Sequence, residues 1–236
     1  MTSREVIVID TETTGLDPND GATVIEVAGY GVDANAGLGT TLCYSSLIAY
    51  EGEIPPTAKA VHHITERDVH PSRAPSRAKA LAPILTALGE DAIPAAHNAA
   101  FDSKFLPEIE GDWICTWRCA MHLWPQAPSH SNQVLRYWLG VDSDDFFWLP
   151  SDAGAHRALY DAAVTAAIVS RMLRERSVEE LLLLSTLPVL LETVRFGKYE
   201  GWAWKDVPFG YLSWYLKTED QDPDVAHTCR HWVKNH

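Results

Sequence analysis

Cysteine is scarce in this chain and follows no chelating pattern. Cys43, Cys115, Cys119 and Cys229 form no C-x-x-C pair, which excludes a disulfide-stapled scaffold and makes reduced thiols the expectation. Cys115, Cys119 and His122 would be an incomplete zinc set, so a buried helix face is the better reading of that segment. Long hydrophobic runs are missing too. None approaches the roughly 18 residues of a membrane span, and the longest, around Leu181 to Leu191, contains Ser185, Thr186 and Pro188. The first ten residues show no cleavable signal pattern, because their apolar run is short and ends in an acid. A cytoplasmic protein with no membrane partner is expected. Positive charge is in short supply, with 19 Lys and Arg against 32 Asp and Glu and a net charge of −13. That argues against a protein that coats nucleic acid through a basic surface. It does not argue against a site that holds divalent cations, which must concentrate acids and whose ions invert the local field. There is no internal repeat and no low-complexity tract.

What is present suits one sizeable domain and a small appendage. The 236 residues are 46% hydrophobic, ample for a real core. Val6-Ile-Val-Ile-Asp10 reads as a buried central strand whose carboxyl end reaches a site. A turn-rich stretch from Thr14 to Gly21 follows, then strands over Val24–Val32 and Thr40–Ile48. Pro55–Val69 reads as a short helix and loop, Ala78–Leu88 as a helix and Ile93–His97 as a strand. Asn98 reads as the cap of a helix over Phe101–Pro107. Ile114–Leu123 is helical or partly extended, Asn132–Leu139 is helical, and Leu159–Arg174 has the clearest helical spacing. Three opening strands followed by alternating helices and strands predict an α/β fold, a mixed sheet with helices on both faces. A composition shift after Arg176 divides the chain into residues 1–176 and a small aromatic-rich C-terminal module, 177–236.

Three short segments carry chemistry. Asp10 and Glu12 stand two apart on a strand, so both carboxylates face one side, while Thr11 points away into a core or supporting role. Asp102 follows His97-Asn-Ala-Ala-Phe at a strand-to-helix turn, near the place where open α/β sheets bind ligands. His156 precedes Asp161 by five residues, about 500° on a helix, so the two would diverge by about 140°. If both serve one site, His156 must lie on the loop before the helix, which Gly154 allows. Singly, each has a bland reading: a surface acid pair, a helix-start acid favoured by the dipole, an ordinary histidine. Together they suit phosphodiester hydrolysis. Two divalent cations roughly 3.5–4 Å apart activate a water and stabilise the leaving 3′ oxygen. Histidine, the side chain that titrates near neutrality, takes the water's proton.

Val-Ile-Asp10-Thr-Glu12-Thr-Thr-Gly-Leu, His97-Asn-Ala-Ala-Phe-Asp102 and His156-x4-Asp161 resemble the three motifs of the DEDDh 3′→5′ exonuclease superfamily, in order and at typical separations. Ile25-Glu26-Val27-Ala28 and His63-Ile64-Thr65 also look like family features. Gly111-Asp-Trp-Ile-Cys-Thr116, His156-Arg-Ala-Leu-Tyr-Asp161 and Phe196-Gly-Lys-Tyr-Glu-Gly201 with Tyr211-Leu-Ser-Trp214 resemble, more narrowly, the bacterial exodeoxyribonuclease X family. The resemblance implies an RNase H-like fold and release of 5′-monophosphates from DNA 3′ ends, single-stranded or duplex. It implies two Mg²⁺ ions, with Mn²⁺ able to substitute. Asp10, Glu12 and Asp161 would hold one ion, Asp10 and Asp102 the other, with His156 as the base. Thr13, Gly15 and Leu16 would meet the terminal nucleotide, Leu16 wedging against its base, and His63, Asn98 and Phe101 would line the same cleft. RNA stands as the alternative substrate, and monomer and homodimer both stay open. A catalytically silent interaction module would be marked by loss of one acid, and none is lost.

In the C-terminal module, Phe196–Gly201 reads as a turn into a small hairpin and Val207–Trp214 as a turn into a helix. Two readings compete. Exposed aromatics, Trp202 among them, would stack bases with Lys198 and Lys205 near phosphates. Alternatively, a module this small needs its aromatics for its own core.

Overall fold

The computed structural model describes residues 4–33, 42–141, 154 and 156–235. These fall into two compact units, Met1–Ser185 and Thr186–His236. The composition shift lies at Arg176, but α7 (Val178–Thr186) buries Val178 and Leu181 in the core of the first unit.

The first unit is built on a five-stranded sheet of order β3-β2-β1-β4-β5. Its strands are β1 (Glu5–Thr13), β2 (Val24–Asp33), β3 (Cys43–Leu47), β4 (Ile93–Ala96) and β5 (Ile114–Cys115). β1, β2 and β3 form an antiparallel meander, and β4 and β5 add in parallel. The β1 strand runs past Asp10 to Thr13, because Glu12 pairs with Glu26 and Thr13 with Val24 across a register shift. The start of the third predicted strand, Thr40 and Thr41, lies outside the described residues.

Strand alternation sorts the side chains of β1 onto two cores. Val6 and Val8 face a core shared with α4 (Thr116–Leu123), α5 (Asn132–Leu139), α6 (Ala158–Leu173) and α7. Ile7 and Ile9 face the opposite core, with α2 (Arg77–Leu88) and α3 (Ala99–Phe105). Helices therefore cover both faces, as the sequence pattern predicts. Helix α6 is buried on nearly every side, which explains its run of Ala, Val and Ile in place of a single apolar stripe. Ile114–Leu123 splits into β5 and α4. Helix α1 (Pro56–His62) is short, as expected. Helix α3 starts two residues before the predicted Phe101. Asn98 stands at its cap position, but in the left-handed region (φ 69°) and with no side-chain capping hydrogen bond. Cys115 and Cys119 are buried free thiols, and Cys119 Sγ donates to the Leu181 carbonyl at 3.3 Å, in line with the helix-face reading. No helix among the described residues is long and apolar enough to cross a membrane.

The second unit has a small core of Val194, Trp204, Val207, Leu212, Val225 and Cys229. A short antiparallel pairing of Thr193 with Ala203 forms the expected hairpin. Helix α8 (Phe209–Tyr215) follows the Val207-Pro208 turn. Helix α9 (Pro223–Lys234) was not foreseen. Asp222 caps it by accepting from the amides of Asp224 and Val225, and Pro223 fills its first turn.

Candidate active site

The alternation that buries Val6 and Val8 carries Asp10 and Glu12 onto the same face of β1, at its carboxyl end. Helix α6 packs beneath that face and brings up Asp161 in its first turn. Asp10, Glu12 and Asp161 each offer a carboxylate oxygen, and these lie within 4.8 Å of one another. They are the one such group of potential ligands among the described residues.

Asp102 reaches the same strand end from the other core. It is buried in the first turn of α3, and its Oδ1 accepts from Thr11 Oγ1 at 2.8 Å. Thr11, which the strand period turns away from Asp10 and Glu12, therefore fixes the fourth acid. The β4–α3 turn that presents Asp102 is held from behind by His97, whose Nδ1 lies 2.9 Å from Thr116 Oγ1.

His156 lies before α6, as the angular argument requires. The helix starts at Ala158, and His156 is exposed with φ 66°. Its backbone amide donates to Asp161 Oδ2 at 2.7 Å. Asp161 Oδ1 accepts from Gln133 Nε2 at 3.0 Å, and Asn132 Nδ2 donates to the Asp161 carbonyl at 3.2 Å. Helix α5 thus braces the Asp161 carboxylate, a role the sequence does not disclose.

A second brace ties α6 to the sheet. Glu26, 3% exposed, sits opposite Glu12 on β2. It accepts from Arg157 Nε at 3.0 Å, Arg157 Nη2 at 2.6 Å and the Ala158 amide at 3.1 Å. The two-point Arg–carboxylate contact and the amide bond fix the chain between His156 and Asp161.

The remaining candidates are spread more widely. Thr13 is buried and donates from Oγ1 to the Gly15 carbonyl at 2.6 Å, shaping the turn that leaves Leu16 85% exposed. A Cβ on Gly15 would meet Ala22 Cβ at 3.1 Å, so the turn is tight. Asp17 is engaged within its own turn, where its carboxylate accepts from Asn19 N and Nδ2, both at 2.8 Å. Asn98 is exposed, and Phe101 is half-buried against Phe105. His63 is exposed in the left-handed region at φ 59°. Its neighbour His62 is buried. Its Nδ1 accepts from the Ile64 amide at 2.9 Å. Lys198, Trp202 and Lys205 are exposed and belong to the second unit.

Burial and mutual repulsion govern the four acids. Burial pushes the Asp10 carboxyl well above the usual range, and Asp102, Asp161, Glu12 and Glu26 add to it. Glu12 is raised to about 8 by burial and then by Glu26, against the pull of Arg157. Asp102 is raised to about 7 by burial, opposed by the Thr11 hydrogen bond. Asp161 is raised by burial, opposed by the His156 amide and Gln133. An all-carboxylate cluster that is reluctant to ionise suits hard divalent cations, which supply the missing positive charge.

The stability of the metal-free protein follows with a definite sign. These acids have folded pKa values above their unfolded ones, so the native state holds protons that the unfolded chain has released. Their contribution to stability is full below about pH 4 and is lost as pH rises through about 7 to 8. Glu66, Asp68 and Glu108 have lowered values and are ionised in both states above about pH 5.5. His97, lowered to about 4 by burial, and His62, also lowered, gain stability as pH rises through about 6.5 and offset only part of the loss from the acids. Melting temperature in EDTA is expected to drop by several degrees from about pH 5.5 to about pH 8, and divalent cation to restore it. A flat profile in EDTA would remove the shared-charge account.

Known proteins share this architecture. The family model described as Exonuclease matches residues 7–169. Exodeoxyribonuclease 10 of Escherichia coli (strain K12) is 34% identical, over 97% of this chain and 98% of its own. The DNA polymerase III subunit epsilon-like protein of Rhodobacter capsulatus is 29% identical, over 71% of this chain and 23% of its own. Among solved structures, Exonuclease X in complex with 5′ overhanging duplex DNA superposes with a TM-score of 0.61 at 30% identity, covering 76% of this chain and 99% of that one. The nuclease domain of 3′hExo, a DEDDh family member bound to rAMP, shares the fold at 17% identity, with a TM-score of 0.58 over 74% of this chain and 94% of that one. With the family model spanning the sheet and both acid-bearing helices, and a relative matched from end to end, the chain belongs to the exonuclease family.

Proposed function

We propose that the protein is a 3′→5′ DNA exonuclease that releases 5′-mononucleotides, with two Mg²⁺ ions as its metals and Mn²⁺ as a substitute. The observation that carries this is the convergence of Asp10, Glu12 and Asp161 within 4.8 Å beside a loop that supplies His156. DNA is taken as the polymer because the relatives matched over most of the chain are an exodeoxyribonuclease and a DNA-bound Exonuclease X. The cytoplasm is taken as the compartment, in keeping with four free thiols.

In this reading Asp10, Glu12 and Asp161 hold one cation, while Asp10 and Asp102 hold the other. Bound there, the cations supply a lowered water pKa and charge neutralisation at the scissile phosphate. His156 accepts the proton of the attacking water, and its place outside α6 leaves the ring free to turn toward it. Thr11 keeps Asp102 aimed, and Gln133 and the His156 amide keep Asp161 aimed. Leu16 meets the terminal base, with Thr13, Gly15, His63, Asn98 and Phe101 around the same nucleotide.

A digestion series on end-labelled single-stranded, blunt and 3′-overhang DNA, with an RNA oligomer in parallel, tests the reading. Mononucleotides are expected from 3′ ends in Mg²⁺ or Mn²⁺ and none in EDTA. Cleavage that survives EDTA, or release from 5′ ends, would sink it, and faster digestion of RNA would overturn the choice of polymer.

Glu26 gives a sharper check on the geometry. Glu26→Gln keeps the shape of the side chain but loses the charge that holds Arg157. A shift of about 1 Å at a positioned group costs up to about 100-fold in rate. We therefore expect kcat to fall about 10- to 100-fold with KM little changed, measured by steady-state digestion. A folded Glu26→Gln protein with normal kcat would show that α6 is set without this brace.

A further inference from the structure

The second unit holds an aromatic surface that its own core does not use. Trp204 is fully buried at its centre, so the need for a core accounts for that indole. It does not account for Trp202 and Trp214, which are 49% and 55% exposed. These two indoles are joined by a continuous row of rings. Trp202 meets Tyr199 at 5.2 Å between centroids, Tyr199 meets Tyr211 at 4.8 Å, and Tyr211 meets Trp214 at 5.2 Å. The row is held on a rigid frame: the hairpin brings Trp202 to Val194 through a 2.8 Å backbone bond, and α8 carries Tyr211 and Trp214. Small units have little apolar area to spare, so leaving two indoles half in water is costly unless something covers them.

The charge around the row favours one kind of occupant. The chain is at −13, yet residues 186–236 carry six basic and seven acidic side chains. Along the row itself, Lys198 lays its ammonium 5.3 Å from the centre of the Tyr199 ring, and it is exposed. Flat indoles at two ends of a row with a cation alongside match alternating bases and phosphates. They match a folded acidic or apolar protein surface less well.

We propose that the row from Trp202 through Tyr199 and Tyr211 to Trp214 binds single-stranded nucleic acid, stacking bases on the two indoles and taking a phosphate at Lys198. Stacking tolerates any base, because each has a π face. The site therefore gives the chain a hold on the strand that does not depend on metal or on sequence. It rests on the nuclease reading only for the kind of polymer.

The test uses the full chain and two readouts. The first is fluorescence anisotropy with a labelled single-stranded oligodeoxynucleotide in EDTA, where the strand is not consumed. The second is hydrolysis of the p-nitrophenyl ester of thymidine 5′-monophosphate with Mn²⁺, a substrate too small to span the row. Trp202→Ala and Trp214→Ala are each expected to weaken strand binding about 10-fold, and the pair about 100-fold. Ester turnover should be unchanged, which also shows that the variants fold. Trp202→Phe with Trp214→Phe keeps flat rings and should retain most of the affinity. Lys198→Glu should weaken binding and make its salt dependence shallower. Wild-type affinity in the double alanine variant would overturn the proposal and leave the row to a protein partner. An unchanged salt slope in Lys198→Glu would overturn the phosphate contact. Absence of ester turnover in the wild type would count against the catalytic reading alone, because the anisotropy judges the row independently.

Discussion

Asp10→Asn is expected to abolish nuclease turnover and, in the same protein, to raise the melting temperature of the metal-free form. The two effects have one cause. Asp10 stands where the three-carboxylate cluster meets Asp102, and it is the acid most crowded by others. In the reading above it is also the one acid shared by both cations, so its loss weakens both sites. Losing the charge stabilisation they provide costs several kcal/mol, which is about 1,000-fold in rate or more. Without cations the same carboxylate is a liability, since ionising it in place works against burial and four neighbouring acids. An amide of the same shape never pays that cost. The gain should be absent below about pH 4, where the acid is protonated in the folded and unfolded states alike, and grow to a few degrees by about pH 8. Calorimetry in EDTA across pH, paired with digestion assays, reads both. A variant that is inactive but no more stable at any pH would show that Asp10 is a ligand without being a source of strain. A variant with even a tenth of wild-type turnover would remove it from the metal site.

The parts of this site that were legible in the sequence are those set by short-range periodicity. The two-residue period of β1 puts Asp10 and Glu12 on one face and Thr11 on the other. The 3.6-residue period of α6 forces His156 off the helix that carries Asp161. Both hold in the structure, because a central strand and a buried helix leave little freedom in where successive side chains point. The parts that were not legible depend on how distant elements dock. Nothing in Asn132-Gln133 announces that α5 will lie against the start of α6 and donate to Asp161. Glu26 is recognisable as part of a strand, but its bond to Arg157 joins residues 131 apart. Asn98 was expected to cap α3 with its side chain, but it takes a left-handed backbone at the turn that presents Asp102, where asparagine is tolerated better than most residues. Which of the adjacent His62 and His63 is buried cannot be read from the sequence; the structure buries His62 and exposes His63. Helix α9 carried its start signal in Asp222-Pro223, but His227, Arg230 and His231 dilute its apolar spacing.

His156 sets the second large effect, and its backbone dictates how to test it. The residue holds φ at 66°, a conformation that costs an ordinary L-residue roughly 1–2 kcal/mol. Its amide meanwhile donates to Asp161. An alanine there mixes two losses: the imidazole, and the comfort of the loop that positions the Asp161 carboxylate. Asparagine and glycine adopt left-handed backbone more readily, so His156→Asn and His156→Gly remove the ring while leaving the amide on Asp161. Removing a general base costs typically 100- to 10,000-fold. We expect a kcat loss in that range for both variants, with cation affinity and strand affinity close to wild type. Free imidazole should restore part of the turnover of His156→Gly, where the missing ring leaves room, and little of His156→Asn. Calorimetric cation titration separates a lost base from a disturbed Asp161. If kcat and cation affinity fall together in the asparagine variant, His156 acts through its backbone on Asp161 and the proton acceptor must be sought elsewhere. If kcat stays within a few-fold of wild type, the water gives up its proton without this residue.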